Sequence, residues 1–420
     1  MWWTSRLLLL LSPHLFISIG LLFPESWPLS NPGGSSKKNM NTSPPPNEFV
    51  WKPVLADDLQ LGEPAPFDCY GSNKALLLKK GSIVTKNQLD KISQDGYRID
   101  EDVAPPPTNQ NKSPFEILDE LKNRLQKIFS DFLDNPDPKK PSHLQARVLS
   151  LCKDIQALCE FDADAALGGL HLDFTGRYTI NHPLHVAILC ELLGQVKNIP
   201  PEQRQSILAA AITCNIAIVK LQESLHKQDA PLSEGQKETI RIHPELGEAM
   251  LKQSGVTDEL WLNTVIYHHE KINGKGYPGV LSGDKIPLAV RLVSLADTYS
   301  AMVSNRSYRS SFLAQDALRD IFLKRGGEVD GQLAQLFIKE ICIYPPGAFV
   351  KLQTGEIAIV IRRGENPTTP TVKTLIGPDS TRFKIPLQRD CAAKGCAVRE
   401  MIPRNMTIPL NLELLWNYVR

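Results

Sequence analysis

From Pro114 onward apolar residues recur at spacings of three and four, and beyond Tyr344 the pattern shifts to short strands, so a helical region precedes a sheet-forming one. Leu118, Leu121, Leu125, Ile128, Phe129 and Phe132 predict a helix with Ser113 as cap and Pro114 as first residue. Its stripe either docks on the next domain or pairs with another chain. A second amphipathic segment, Leu144 to Leu158, follows the PDPKKP break. Between 170 and 340 the pattern predicts helices over His182–Leu193 and Gln203–Lys220. A third starts at Ser233, where Gln236 gives a capping-box spacing, and runs through His243 to Met250. A fourth starts at Thr257, has Asp258 and Glu259 in its first turn and ends near His269; a fifth follows Pro287 and carries Val290, Val293, Asp297 and Ala301. Phe349–Leu352 and Ile357–Ile361 flank a Gln-Thr-Gly-Glu turn as a hairpin, with short strands at Thr371–Leu375 and Phe383–Leu387. Nearer the start, Ala75–Ser82 predicts a strand entering a turn, and Thr85–Asp95 a short helix.

The expected fold is multidomain and mainly α: an all-α helical domain over 166–342, a small N-terminal α/β module over 49–103, and a small C-terminal β appendage over 343–420. Residues 104–165 supply a proline-rich linker and the amphipathic helices. Residues 1–48 are a hydrophobic and polar leader, in which the apolar run Leu7–Phe23 reads as a membrane anchor, a signal sequence, or an extension preceding a start at Met40. The working domains are expected in the cytoplasm, at the inner membrane if residues 7–23 act as an anchor.

Composition narrows the chemistry. In 420 residues, 47 Lys+Arg balance 46 Asp+Glu, which leaves no basic excess to attract bulk nucleic acid, although a few local cations can still hold a small anion. The eight cysteines contain no C-x-x-C pair and suit reduced thiols rather than a disulfide framework.

The densest chemistry lies in His268–Arg309. Trp261, Val265, His268 and His269 share one helical face, so both imidazoles point toward the face that the tryptophan buries. Asp297 falls four residues after Val293 on an apolar stripe, where a carboxylate must be paired or metal-bound. His243 and His182 add further imidazoles. Singly, an inward histidine is usually a hydrogen-bonded core residue; jointly, adjacent histidines and an inward aspartate point to a borderline divalent metal. The turn Asn273-Gly274-Lys275-Gly276-Tyr277-Pro278 has glycines that allow positive φ or close approach. Lys275 suits a phosphate, the Tyr277 ring a stacked base, and Arg306 and Arg309 share one helical face.

HHE followed by NGKGYP, the G-x-x-I-P-L loop, LADTYSAM and R-S-Y-R resemble the HD-GYP domain, a subgroup of the HD metal phosphohydrolases. The resemblance covers residues 178 to 340. It implies an all-α domain that uses two or three iron or manganese ions to hydrolyse cyclic di-GMP. It places His182, His243, His268, His269 and Asp297 at metal-ligand positions, Lys275 and Tyr277 in the signature turn, and Arg306 and Arg309 at the ligand phosphates.

One departure matters. Where the family has its His-Asp pair, this chain reads Cys214-Asn215, and the family's lysine position is Ile218; Tyr178 stands where three-metal members place a further carboxylate. The missing aspartate is the one that bridges two cations, and Asn215 offers only a neutral carbonyl oxygen. His243, His268 and His269 would make a three-imidazole site, leaving His182 and Asp297 for the other. The expectation is one ion of iron or manganese rather than two, and a cyclic di-GMP sensor or regulatory partner, with a protein partner reached through the amphipathic helices. An active phosphodiesterase and a metal-free scaffold are the rival readings.

Overall fold

The structure, a computed structural model, describes residues 50–54, 58–71, 76–100, 112–134, 143–173, 176–226, 228, 230–304, 313–404 and 408–418. The readings of the leader 1–48 and of Arg306 and Arg309 fall outside these residues.

The first unit contains β1 (Val50–Pro53), β2 (Cys69–Gly71), β3 (Leu76–Leu78), α1 (Lys86–Asp95) and β4 (Gly96–Asp100). Its strands form an antiparallel sheet in the order β1-β4-β2-β3 around Val54, Leu59, Cys69, Leu78 and Ile92. Only β3 and α1 were legible in advance, because strands of three to five residues are too short to display a period of two.

Helices α2 (Pro114–Asp134) and α3 (Leu144–Leu172) follow. Ser113 caps α2 as expected: its hydroxyl accepts from the Glu116 amide at 3.2 Å, and the Glu116 carboxylate accepts from the Ser113 amide at 2.6 Å. Leu118, Leu121, Leu125, Ile128 and Phe129 are buried in a core shared with α3, so this stripe docks within its own chain rather than on a partner. Helix α3 runs well past Leu158, since its Ala-Ala-Leu-Gly-Gly-Leu continuation is buried on all sides and has no amphipathic period to read. It is interrupted at Asp162 (φ −158°, ψ 87°), whose carboxylate accepts from the Ala165 amide at 2.9 Å and so caps the second half.

The bundle continues through α4 (Tyr178–Val196), α5 (Pro201–Thr213), a 3-10 turn (Ile216–Ile218), α6 (Val219–Leu225), α7 (Glu234–Gln253), α8 (Glu259–Tyr267), α9 (Leu288–Val303), α10 (Ala314–Lys324) and α11 (Gly331–Ile341). The capping box at Ser233 and Gln236 is present. Two expected helices differ. The one over Gln203–Lys220 breaks at Cys214-Asn215, just past Thr213, which the Trp261 indole grips at 2.7 Å, and the chain then turns so that Ile216 and Ile218 pack inward near α7. The one from Thr257 is capped instead by Asp258, which accepts from the Trp261 amide at 3.0 Å, and it ends at Tyr267, so His268 caps it and His269 lies beyond. Pro201–Leu225 is apolar and long enough to cross a membrane by composition, and it is mostly buried inside this bundle.

Strands β5 (Phe349–Leu352), β6 (Ile357–Arg362), β7 (Thr371–Ile376), β8 (Arg382–Asp390) and β9 (Val398–Ile402) form an antiparallel sheet in the order β8-β7-β6-β5-β9, followed by α12 (Leu412–Trp416). The β5–β6 hairpin pairs Phe349 with Ile359 and turns at Gly355, φ +88°. The expected C-terminal sheet is present, with five strands, and it packs against the helices. Phe349, Ile359, Ile361 and Trp416 share a core with Phe115, Ala165 and Leu172 of the helices.

Candidate metal centre

Helices α4, α7, α8 and α9 converge on a pocket of imidazoles. The ligand-capable atoms of His243, His268 and His269 all lie within 4.8 Å of one another. Two backbone carbonyls orient the first two rings. Pro244 has no N–H for the Ile240 carbonyl one turn back, and His243 Nδ1 occupies that carbonyl instead at 2.6 Å. His268, at the end of α8, donates from Nδ1 to the terminal carbonyl of Val265 at 2.6 Å. A carbonyl can only accept, so both Nδ1 atoms carry the proton and both neutral rings turn bare Nε2 lone pairs toward each other, 3.2 Å apart. Such a pair needs a cation between or beside it.

A proton is a poor candidate for that cation. Burial and the neighbouring His268 pull the His243 pKa down to about 3, and burial lowers His268 as well. For His269, burial followed by the charges of His268 and His243 holds the pKa well below the ordinary imidazole value. The donor set therefore fits a divalent metal, with tautomers preset as a metal-ligating histidine requires.

His182 and Asp297 form the second half. His182 Nε2 donates to Asp297 Oδ1 at 2.9 Å, with His182 3% and Asp297 16% exposed. Burial would raise the Asp297 pKa, but the His182 hydrogen bond and the surrounding imidazoles hold its carboxyl below the usual carboxylate range. Its charge acts on His243, His268 and His269 alike, opposing the effect of burial on all three imidazoles. Behind His182, the buried Ser300 hydroxyl lies 3.0 Å from His182 Nδ1, and the Tyr178 ring stacks on the imidazole at 4.9 Å.

At the dyad position, Cys214 is buried with its thiol directed to the Ala211 carbonyl, and Asn215 donates to that sulfur at 3.4 Å. Burial, then the Asp297 charge, pushes the thiol pKa well above its ordinary value, so it stays neutral while no cation is bound. Lys220 is directed elsewhere, to Asp134 at 2.9 Å.

The signature turn is built backwards from Glu270. Its buried carboxylate accepts from the Gly279 amide at 2.6 Å and the Leu281 amide at 2.9 Å. Gly276 passes so close to the preceding segment that a Cβ there would lie 2.4 Å from Glu270 Cα. That approach brings the Tyr277 ring onto His269, stacked at 4.9 Å, which occupies one face of the ring assigned to a base. Lys275 is exposed on the turn, with its amide donating to Asn273 Oδ1. Sequence reasoning gave no role to Glu270, Ser300 or His185, although Glu270 completes His-His-Glu and Ser300 follows Asp297 by one helical turn.

Comparison with known proteins matches the HD domain family to residues 169–333. A Pseudomonas aeruginosa protein, cyclic di-GMP phosphodiesterase PA4108, is 28% identical over 253 residues, 60% of each chain. Residues 169–333 of the helical bundle form an HD domain. A Vibrio cholerae relative, 3'3'-cGAMP-specific phosphodiesterase 2, is 26% identical over 168 residues, 39% of this chain and 31% of its own. A solved HD-GYP-type structure, Bd1817, an HDG"Y"P protein from Bdellovibrio bacteriovorus, covers 69% of this chain and 98% of its own at 16% identity and a TM-score of 0.44. The match thus spans about three fifths of the length of PA4108.

Proposed function

We propose that this chain is a cyclic di-GMP signalling protein whose HD-GYP domain holds one divalent ion, iron or manganese, and binds the cyclic dinucleotide with weak or no hydrolysis. The observation that carries this reading is the contrast between three imidazoles gathered within 4.8 Å and a neutral Cys214-Asn215 pair at the dyad position. His243, His268 and His269 would hold the ion, with His182 and Asp297 on the adjoining wall. A divalent ion in such a pocket polarises a phosphoryl oxygen and lowers the pKa of its bound water. A second ion would need a carboxylate shared with the first, and Asn215 brings no charge to offset cation repulsion. Tyr277, seated on His269, presents its outer face to a ligand base, Lys275 supplies a cation on the same turn, and Arg306 and Arg309 supply two more.

The surviving His182–Asp297 pair favours a second reading, that of an active phosphodiesterase, because it retains two of the other metal's ligands beside the three imidazoles. Protein purified anaerobically decides between them. Elemental analysis should find one iron or manganese per chain, and calorimetry should detect cyclic di-GMP binding without linear dinucleotide or GMP appearing on chromatography. Two ions per chain, with product that disappears in His268→Ala, would establish the enzyme instead. Assaying 3'3'-cGAMP in parallel tests the choice of dinucleotide.

A further inference from the structure

All eight cysteines are free and lie among the described residues; seven are buried, and only Cys396 is partly exposed. It stands five residues after Cys391 in Cys-Ala-Ala-Lys-Gly-Cys, the segment that carries the chain from β8 to β9, the two outermost strands of the C-terminal sheet. Both ends of that crossing are fixed. The Cys391 amide donates to the Pro370 carbonyl at 3.0 Å, and the Gln353 amide donates to the Ala397 carbonyl at 2.9 Å. Between them, the Ala393 amide donates to the Asp390 carbonyl and the Cys396 amide to the Ala393 carbonyl, each at 3.1 Å, so successive turns fold the segment back on itself. The Cys391 side chain packs in a core with Val350, Leu352, Ala358, Val360 and Val372, and Val398, just past Cys396, packs against the same core. The two thiols also sense each other: burial first and the Cys396 charge second push the Cys391 thiol up to about 12.

We propose that Cys396 is a site of oxidation by hydroperoxides and that Cys391 resolves it, converting the pair into a disulfide that joins the end of β8 to the approach of β9. The Cys396 sulfur attacks the peroxide: the O–O bond breaks, an S–O bond forms, and the second oxygen leaves as water or an alcohol with the thiol proton, giving a sulfenic acid. The Cys391 sulfur then attacks that sulfur. An S–S bond forms, the S–O bond breaks, and the Cys391 proton leaves with the hydroxyl as water. The two thiols together give up two electrons, and one hydroperoxide accepts them. Burial divides the roles, since Cys391 is 2% exposed and shielded from the oxidant while Cys396 can meet it. A disulfide requires Cα atoms within about 7 Å of each other. Any closing movement falls on Ala392, Ala393, Lys394 and Gly395, all exposed, and an added Cβ at Gly395, φ +86°, would meet nothing within 4 Å.

Trypsin cuts after Arg389, Lys394 and Arg399, so the two cysteines fall on separate peptides, 390–394 and 395–399, which only a disulfide can join. Reduced full-length protein, with a chelator present to suppress metal-catalysed oxidation, is treated with hydrogen peroxide. Its remaining thiols are blocked with N-ethylmaleimide in urea, and it is digested without reductant for mass spectrometry. The joined pair should appear and should separate with dithiothreitol, while the other cysteines carry maleimide and the protein runs as a monomer on a non-reducing gel. Recovery of Cys391 as its maleimide adduct overturns the proposal, whether Cys396 is then found reduced, as sulfinic or sulfonic acid, or joined to another thiol; so does a covalent dimer. In Cys391→Ser, dimedone should capture several times more sulfenic acid at Cys396 than in the wild type, and equal capture overturns the resolving role. Cys396→Ser should leave Cys391 reduced at the same peroxide exposure, and its oxidation there overturns the order of attack. The wild-type peptide map decides the disulfide even if a variant fails to fold.

Discussion

Restoring two side chains tests the centre at its weakest point. Cys214→His with Asn215→Asp places an imidazole and a carboxylate at a position already under the influence of Asp297, since burial first and that charge second raise the Cys214 thiol. The bridging charge would offset repulsion between two cations, so bound metal should rise from one ion to two per chain, with cyclic di-GMP turnover increasing by at least an order of magnitude. An unchanged metal content would mean the pocket cannot seat a second ion for reasons other than Asn215. Acid should expose the buried imidazoles of the metal-free protein. Burial, with the neighbouring His268, pulls His243 down to about 3, and burial, which outweighs the help of the Pro346 carbonyl, pulls His171 down to about 4, while unfolded histidine titrates near 6.5. The unfolded chain then binds more protons below that value. Stability present above it is therefore lost as pH falls, by about 1.4 kcal/mol per pH unit per histidine, until the folded rings also titrate. Urea midpoints of chelated protein from about pH 7 down to about pH 5 should decline steadily, and a flat profile would contradict the assigned burial. The inward facing of His268 and Asp297 was legible from spacing alone. The tautomers were not, because they depend on carbonyls freed by Pro244 and by the end of α8.

At the scale of single elements, the loop between α8 and α9 separates two uses of glycine. Gly283 has φ +54° with nothing within 4 Å of an added Cβ, so Gly283→Ala should destabilise by only about 1–2 kcal/mol, through backbone strain alone. Gly276 has no such freedom: its Cβ would meet Glu270 Cα at 2.4 Å and the Lys271 nitrogen at 2.5 Å, both main-chain atoms that cannot swing aside. Gly276→Ala should therefore destabilise by more than Gly283→Ala and should unstack Tyr277 from His269. Glu270→Ala, which strands the Gly279 and Leu281 amides, should lose about 3 kcal/mol on the scale of charge-assisted hydrogen bonds. Urea denaturation gives the ranking, and limited proteolysis within 271–286 reports the loosened loop; equal effects at the two glycines would refute the distinction. Sequence pattern located α2, α4, α7 and α9 because each carries a cap, a proline start or an apolar period. It missed the break after Thr213 and the end of α8, which are set by where Trp261 docks on α5, a tertiary event with no local signature.

Over the whole molecule, Asp162 holds the C-terminal sheet to the helical bundle. Its carboxylate takes both Arg362 Nη atoms and the Tyr418 hydroxyl at 2.8 Å while still capping Ala165 at 2.9 Å, and Arg363 grips Asp164 alongside. Next to this clasp, a Cβ on Gly168 would fall 2.4 Å from the Trp416 ring, and Phe115 meets that ring edge-on at 5.4 Å. Charge, cap and core therefore tie the same few turns of α3 to strands nearly two hundred residues later, and two substitutions can separate these contributions. Asp162→Asn keeps an oxygen for the Ala165 amide and removes the charge opposite Arg362; Asp162→Ala removes both. Because Arg362 remains about a third exposed, the lost ion pair should amount to about 2 kcal/mol rather than the larger figure for fully buried pairs. The lost cap should add about 1 kcal/mol in Asp162→Ala alone. If the sheet is part of the bundle's own core, fluorescence of Trp416 and Trp261 should report one shared urea transition in the wild type and in both variants, shifted further in Asp162→Ala. A separate early transition at Trp416 in the wild type would show that the sheet folds apart from the bundle and that the clasp joins two finished units.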